Sequence, residues 1–258
     1  MRLMKRILSA AAVLALSASL LVGCSSGTAS SVPVSASSAA ESTVSSVEET
    51  ASSAVDENEA AAAQLLNDLT GSYQELWPVI LADEYKQTWL DVCTALVGED
   101  NAEAAFEKLS SMVTGDVYGE DAVKAYANGG GAYFCGFTNS LATLTFDGET
   151  STISGTDKDG NVLFSHTYHY IGMEPVHGLY EFESDDADSG EFTYFFLAPD
   201  TSAETYHIEF RYGSDAEALS QYDAGEYAYW VASGISTDCD QTMIDNGIEL
   251  FCTENLAG

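Results

Sequence analysis

The chain has 258 residues, of which 41 are Asp or Glu and only 8 are Lys or Arg, so its formal net charge is −33. This acidic excess excludes nucleic-acid binding as a function, because that function depends on clustered Lys and Arg that neutralise phosphates. It also disfavours electrostatic adhesion to anionic lipid. An acidic surface attracts cations and favours solubility, which are general properties that do not identify a ligand.

The first two dozen residues have the pattern of an export signal. Three basic residues among the first six precede an apolar run from Ile7 to Val22. The run is shorter than the roughly 20 apolar residues of a stable membrane span and is typical of a signal peptide. It leads into Gly23 and Cys24, an ending that resembles the lipobox of bacterial lipoproteins. The resemblance implies removal of residues 1–23, lipidation of Cys24, and a cell-membrane lipoprotein anchored at the extracytoplasmic face. The alternative is ordinary secretion with Cys24 as a free thiol.

Residues 24–55 are rich in Ser, Ala, Thr and Val and contain no aromatic residue. Such a segment cannot bury enough apolar surface to offset its ordering entropy, so the sequence predicts a disordered linker. Random-coil scaling gives this linker an end-to-end distance of about 30 Å. The remainder, residues 56–258, is long enough to form one globular domain with its own core.

Apolar periodicity divides this domain into three parts. Helical spacing runs from Glu57 to Ala127 and includes Tyr73, and helices are also predicted at Asp215–Gln221 and Asp238–Asn255. Between them, short β-branched or aromatic segments alternate with Gly, Asp and Asn turns, which is typical of an antiparallel barrel or sandwich. The predicted strands are Tyr133–Phe137, Leu141–Phe146, Thr150–Ser154, Val162–Tyr170, Leu179–Phe182, Phe192–Leu197 and Tyr206–Tyr212. The predicted class is α+β, a small antiparallel β-barrel flanked by N-terminal and C-terminal helices.

Four cysteines follow Cys24, namely Cys93, Cys135, Cys239 and Cys252. An even number in an exported protein allows up to two disulfides. Cys239 and Cys252 bracket one predicted helix that would hold them about 20 Å apart, whereas a disulfide needs Cα atoms within about 7 Å. Any bridge is therefore expected to join an early cysteine to a late one. The sequence has no Cys-x-x-Cys, Gly-x-Ser-x-Gly, His-Glu-x-x-His or nucleotide-cofactor motif, so we expect a protein that is not an enzyme.

The last predicted strand presents a candidate pair of metal ligands. Its alternation places the apolar residues on one face and His207, Glu209 and Arg211 on the other. His207 and Glu209, at positions i and i+2, lie side by side, which is how a strand presents two ligands to one metal ion. In the alternative interpretation, Glu209 pairs with Arg211 and His207 is a hydrogen-bonded wall residue.

The stretch that runs from Asp188–Tyr194 through Gly213–Asp215, and that includes this strand, resembles the ZinT/YodA-type zinc-binding domain, a calycin-like barrel with added helices. A looser similarity extends from residue 69 to about residue 230. In the family's pattern a His precedes a loop and a His-x-His strand follows. The strand pair matches His207 and Glu209, and the loop His falls near Asp200. The resemblance therefore implies a calycin or lipocalin-like barrel in which Asp200, His207 and Glu209 bind zinc.

This ligand set contains two carboxylates and one imidazole where the family has three imidazoles. Such a set tolerates Mn, Fe or Ca better and selects zinc less strongly, so another divalent cation is also possible. The other histidines, His166, His169 and His177, are expected to be structural, although any of them could supply a fourth ligand. The resemblance implies a lipoprotein in metal homeostasis that passes its cation to a metal ABC importer or that importer's binding protein. The alternative function is a metal-free calycin-like module that binds a small ligand or a surface protein.

Overall fold

The computed structural model describes residues 57–113, 133–199 and 207–256. The predicted signal peptide, Cys24 and the linker lie outside these ranges, as does Asp200. Among the helices in the described ranges, none combines the length and the apolar character that a membrane crossing requires.

Eight antiparallel strands, paired in chain order, form a closed barrel. They are β1 Gly71–Glu75, β2 Thr143–Asp147, β3 Thr152–Thr156, β4 Val162–Met173, β5 Tyr180–Ser184, β6 Tyr194–Leu197, β7 His207–Gly213 and β8 Ala232–Ser236. The last strand returns to the first, with Gln74 opposite Ile235, so the sheet has no free edge. Together with the helices below, this closed barrel confirms the predicted α+β class and the calycin-like architecture.

Six helices are described: α1 at 57–68, α2 Leu76–Ile80, α3 Lys86–Val97, α4 Glu99–Ser111, α5 Ala216–Leu219 and α6 Gln241–Leu256. Helix α3 ends where Gly98 adopts a φ of 85°, a left-handed conformation that favours glycine. Helix α4 has acidic residues in its first turn and Lys108 in its last, which complements the helix dipole. Asp215 caps α5 by accepting a hydrogen bond from the Ala218 amide.

The helices α2, α3, α4 and α6 pack together as a layer beside the barrel, and α2 contacts β8. Aromatic side chains hold the layer together. The ring of Phe251 in α6 lies 4.7 Å from that of Trp77 in α2 and 6.0 Å from that of Trp89 in α3. The Trp89 indole also donates a hydrogen bond to the Ile80 carbonyl at 2.6 Å. This layer covers the outer face of the barrel at β8.

The barrel interior is a packed aromatic core. Phe195 of β6 lies 5.9 Å from Phe164 of β4 and 5.4 Å from Tyr212 of β7, ring centroid to ring centroid. Because β5 separates β4 from β6, the first of these contacts is made through the interior. Phe137, from the segment before β2, reaches the ring of Phe210 at 5.3 Å. Each fully buried Phe side chain contributes about 1.5–3 kcal/mol to folding, so this core is a main source of the barrel's stability.

Two predicted elements were wrong. Tyr73 belongs to strand β1 and not to a helix. Strand β1 ends at Glu75 and α2 begins at Leu76, so the periodic spacing of apolar residues that predicted a helix continues across both elements. The segment predicted as strand Tyr133–Phe137 forms only an isolated bridge, Phe134 to Trp230, outside the barrel strands. The eighth strand is β8, which the sequence analysis did not predict.

Candidate metal site on the outer face of strand β7

Strand β7 is buried along its whole length, on both of its faces. Phe210 and Tyr212 join the aromatic interior, whereas the alternate residues of the strand lie on its opposite, outward face. The outward residues His207 and Glu209 are each 4% exposed, and Arg211 is fully buried. The alternation predicted from the sequence is therefore present from residue 207 onward.

Glu209 lies in a pocket formed by β8 and the segment that precedes β2. Ser233 of β8 is directly opposite Glu209, and its amide donates to the carbonyl of Cys135 at 3.0 Å. Burial raises the pKa of the Cys135 thiol, and the negative charge of Glu209 raises it further. Trp77 of α2 also lies against this thiol. Glu209 thus lies beside the Cys135 thiol and opposite Ser233, and it is almost fully removed from water.

His207 is the first residue of β7 and lies opposite Ile235. Burial lowers the pKa of His207 to about 3, so its imidazole is neutral at pH 7. The neutral imidazole is the form of histidine that binds metal ions. Within the described ranges, no three His, Cys, Asp or Glu side chains are grouped closely enough to hold a metal ion. The described part of the site therefore supplies two neighbouring donors, His207 and Glu209.

Arg211 makes its contacts with the segment between α5 and β8. Its Nη2 donates to the carbonyl of Tyr227 and, at 3.3 Å, to that of Gln221. Its guanidinium carbon lies 4.1 Å from the centroid of the Tyr222 ring. These contacts explain how a fully buried arginine is accommodated next to Glu209 on the same strand face.

Two of the remaining histidines lie on β4 and pair with different carboxylates. The Nδ1 atom of His166 lies 2.8 Å from Asp186, and that of His169 lies 2.7 Å from Asp185. Both carboxylates belong to the turn after β5. The two histidines are three apart on the strand, so they face opposite sides, as expected from the sequence.

The fourth histidine, His177, is 6% exposed, and the acid beside it, Glu174, is fully buried. The Nδ1 atom of His177 lies 3.4 Å from a Glu174 oxygen, and its ring centroid lies 3.9 Å from that of Tyr222. The sequence did not predict this cluster, in which His177 and Arg211 both contact the ring of Tyr222. The alternation of β7 did show that Arg211 points outward, but nothing in the sequence identified Tyr222 as its partner.

Two solved structures are similar to this chain. The Zn(II)-bound ZinT-like domain of Streptococcus pneumoniae AdcA matches with a TM-score of 0.44 and 15% identity over 70% of this chain and 87% of that chain. Zn(II)-bound AdcA from the same organism matches with a TM-score of 0.41 and 13% identity over 71% of this chain and 34% of that chain. The predicted resemblance to a ZinT-like domain is confirmed as a resemblance. No protein-family model and no curated protein matches the chain. At this degree of similarity, the function has to be argued from the site itself.

Proposed function

We propose that the protein binds one divalent cation, most favourably zinc, at the outer face of β7. The observation that supports this proposal is the pairing of His207 with Glu209, side by side on one strand face and each 4% exposed. A carboxylate and an imidazole at positions i and i+2 of one strand can bind the same divalent cation. The neighbouring neutral imidazole is the most common protein ligand for such an ion.

In this proposal, His207 donates its lone pair and Glu209 neutralises part of the charge of the cation. Asp200, seven residues before His207, is the proposed third ligand and lies outside the described residues. Cys135 and Ser233 lie next to Glu209, and the burial of this residue would limit the access of water to the cation. A mixed set of nitrogen and oxygen donors suits zinc, and its carboxylates also accept Mn, Fe and Ca.

The cellular role is part of the same proposal. Lipidation of Cys24 would anchor the protein at the extracytoplasmic face of the cell membrane, and residues 24–55 would let the barrel reach about 30 Å from it. An acidic chain with a net charge of −33 raises the local concentration of cations. We propose that the bound cation is passed to a metal ABC importer or to its binding protein. No step in this role requires catalysis.

The experiment is a metal titration of the full chain after chelator treatment, followed by calorimetry and elemental analysis. We expect one zinc per chain, and a loss of affinity of about 100-fold or more in His207→Ala. His169→Ala is the matched control, because His169 is an exposed histidine paired with Asp185 on a different strand. The proposal is wrong if the wild-type chain retains no metal and shows no thermal shift with Zn, Mn or Ca.

A groove at one end of the barrel favours the second candidate function, the binding of a small ligand without metal. The groove has a volume of about 530 Å³ and is lined by residues that include Glu75, Pro78, Leu141 and Lys158. That volume falls within the range of small-molecule sites. Ala142→Trp would fill the groove. If this function is correct, the substitution abolishes the binding of a fluorescent naphthalene sulfonate probe and leaves the metal stoichiometry unchanged.

A further inference from the structure

Two cysteines meet between the helices of the outer layer. Cys93 in α3 and Cys252 in α6 are both fully buried, and the two helices pack against each other. Trp89 of α3 and Phe251 of α6 are in edge-on contact at 6.0 Å. Cys93 lies one helical turn beyond Trp89 on the same face of α3, and Cys252 is the residue after Phe251 in α6, so both buried cysteines lie near this contact between the helices.

The side chains themselves interact. The thiols of Cys93 and Cys252 are close enough for each to affect the pKa of the other. Burial raises the pKa of both thiols, and the proximity of Cys93 raises that of Cys252 further. In the structure all four described cysteines are thiols.

We propose that Cys93 and Cys252 form a disulfide that joins α3 to α6 when the protein folds under oxidising conditions. This bond connects an early cysteine to a late one, the kind of pairing that the sequence allows. The disulfide does not depend on the metal site, so the disulfide proposal and the metal-binding proposal can be tested separately.

The reaction is a thiol–disulfide exchange with a disulfide donor, either a small-molecule disulfide or an oxidised thiol oxidoreductase. The thiolate of one cysteine attacks a donor sulfur, forms a mixed disulfide and expels one donor thiolate. The thiolate of the other cysteine then attacks the first cysteine's sulfur and expels the second donor thiolate. The protein loses two protons and two electrons, and the donor is reduced to two thiols. Because both cysteines are buried in the folded chain, the exchange is expected before α3 and α6 dock.

The other two cysteines are placed differently, so a second bridge is not part of the proposal. Cys135 is buried against Ser233 and beside Glu209, on the barrel side of the layer. Cys239 lies before the start of α6 and is only half-buried. These two residues provide matched controls, since each is a cysteine of the same chain outside the α3–α6 contact.

The disulfide would hold in place the side chains that lie next to the candidate metal site. Phe251, next to Cys252, contacts Trp77, and Trp77 lies against the Cys135 thiol beside Glu209. The disulfide would also close a loop of about 160 residues, and the entropy lost by the unfolded chain increases with loop length. Reduction is therefore expected to lower the urea midpoint of unfolding by about 1 M.

The test uses the full chain, refolded from urea in a mixture of reduced and oxidised glutathione. Remaining thiols are blocked with N-ethylmaleimide in urea, which exposes the buried cysteines, and the digest is analysed by mass spectrometry. We expect a linked pair of peptides containing Cys93 and Cys252, which dithiothreitol separates. Cys135→Ser and Cys239→Ser should retain the linked pair, whereas Cys93→Ser and Cys252→Ser should lose it.

A second measurement compares urea midpoints with and without dithiothreitol, and the difference should vanish in the double variant Cys93→Ser/Cys252→Ser. The proposal is overturned if the refolded wild-type chain has native circular dichroism while both cysteines are alkylated by N-ethylmaleimide. A dominant linkage between any other pair of cysteines would also overturn it. The result for the wild-type chain tests the proposed disulfide even if a serine variant does not fold.

Discussion

The guanidinium of Arg211 lies over the ring of Tyr222, with 4.1 Å between its central carbon and the ring centroid. On the same ring, His177 makes a contact at 3.9 Å between centroids. A cation–π contact that is removed from water contributes about 2 kcal/mol. This contact therefore ties the segment between α5 and β8 to strand β7, beside the candidate metal ligands.

Replacement of Arg211 by Met should lower the free energy of unfolding by about 2–4 kcal/mol. Met retains much of the apolar stem, but it removes the hydrogen bond to the Tyr227 carbonyl and the contact with Tyr222. Urea denaturation followed by circular dichroism measures the loss. Lys158→Met, at an exposed residue of the β3–β4 turn, is the control and should change stability by less than about 0.5 kcal/mol. Equal urea midpoints for Arg211→Met and Lys158→Met would show that the contacts of Arg211 do not stabilise the protein.

Gly155 on β3 has no room for a side chain. An added Cβ would lie 2.4 Å from a methyl carbon of Leu141 and 2.4 Å from a ring carbon of Phe164. Gly155→Ala should therefore destabilise the barrel by about 1–3 kcal/mol, because the aromatic interior has to shift. Gly172→Ala on β4 is the matched control, since its Cβ would meet only a Glu181 oxygen at 3.8 Å. Thermal unfolding separates the two variants, and similar melting temperatures would argue against a tightly packed interior.

Glu174 should make stability depend on pH in acid. Burial acts to raise its pKa, but the nearby His177 side chain and the hydrogen bonds from the amides of His177 and Val176 outweigh that effect and lower the pKa below 4.5. The folded state therefore binds a proton at Glu174 less readily than the unfolded state does. The resulting stabilisation is complete above pH 4.5, the ordinary value, and is lost as the pH falls through the lowered value.

Glu174→Gln removes the titrating group. The Val176 and His177 amides donate to different oxygens of Glu174, so the single amide oxygen of Gln keeps only one of these two hydrogen bonds. Urea midpoints are measured between pH 6 and pH 3 for both chains. The wild type should be more stable than the variant at pH 6, and the difference should shrink as the pH falls below 4.5. A difference that is constant over this range would show that Glu174 is not the titrating group.

The sequence predicted the fold class because most barrel strands have their own local signal. The turn Asp157–Asn161 is one example: Asp157 accepts hydrogen bonds from the Asp159 and Asn161 amides, and Gly160 takes a φ of 81°. Strand β8 has no such signal. Its Gly234 lies where an added Cβ would be 3.1 Å from Ile208, so close packing selects a small residue where a strand normally has a large one.

The candidate site was predictable only in part. Alternation alone places His207, Glu209 and Arg211 on one face of β7, because a strand has a period of two. Cys135, which lies beside Glu209, is 72 positions upstream of His207, and Trp77, which lies against Cys135, is 130 positions upstream. These contacts form when the barrel closes and α2 docks, and the spacing of residues within one strand does not predict them.

The ligand set itself can be tested by restoring an imidazole. Glu209→His creates a His-x-His strand and removes one carboxylate, so we expect preference for zinc over manganese to increase by at least about tenfold. Competition titrations with the two metals measure the ratio of affinities. Glu183→His on β5 is the control, because it adds a histidine to another strand, where Glu183 pairs with Tyr194. If Glu209→His leaves the zinc-to-manganese ratio at the wild-type value while the chain remains folded, Glu209 does not bind the metal.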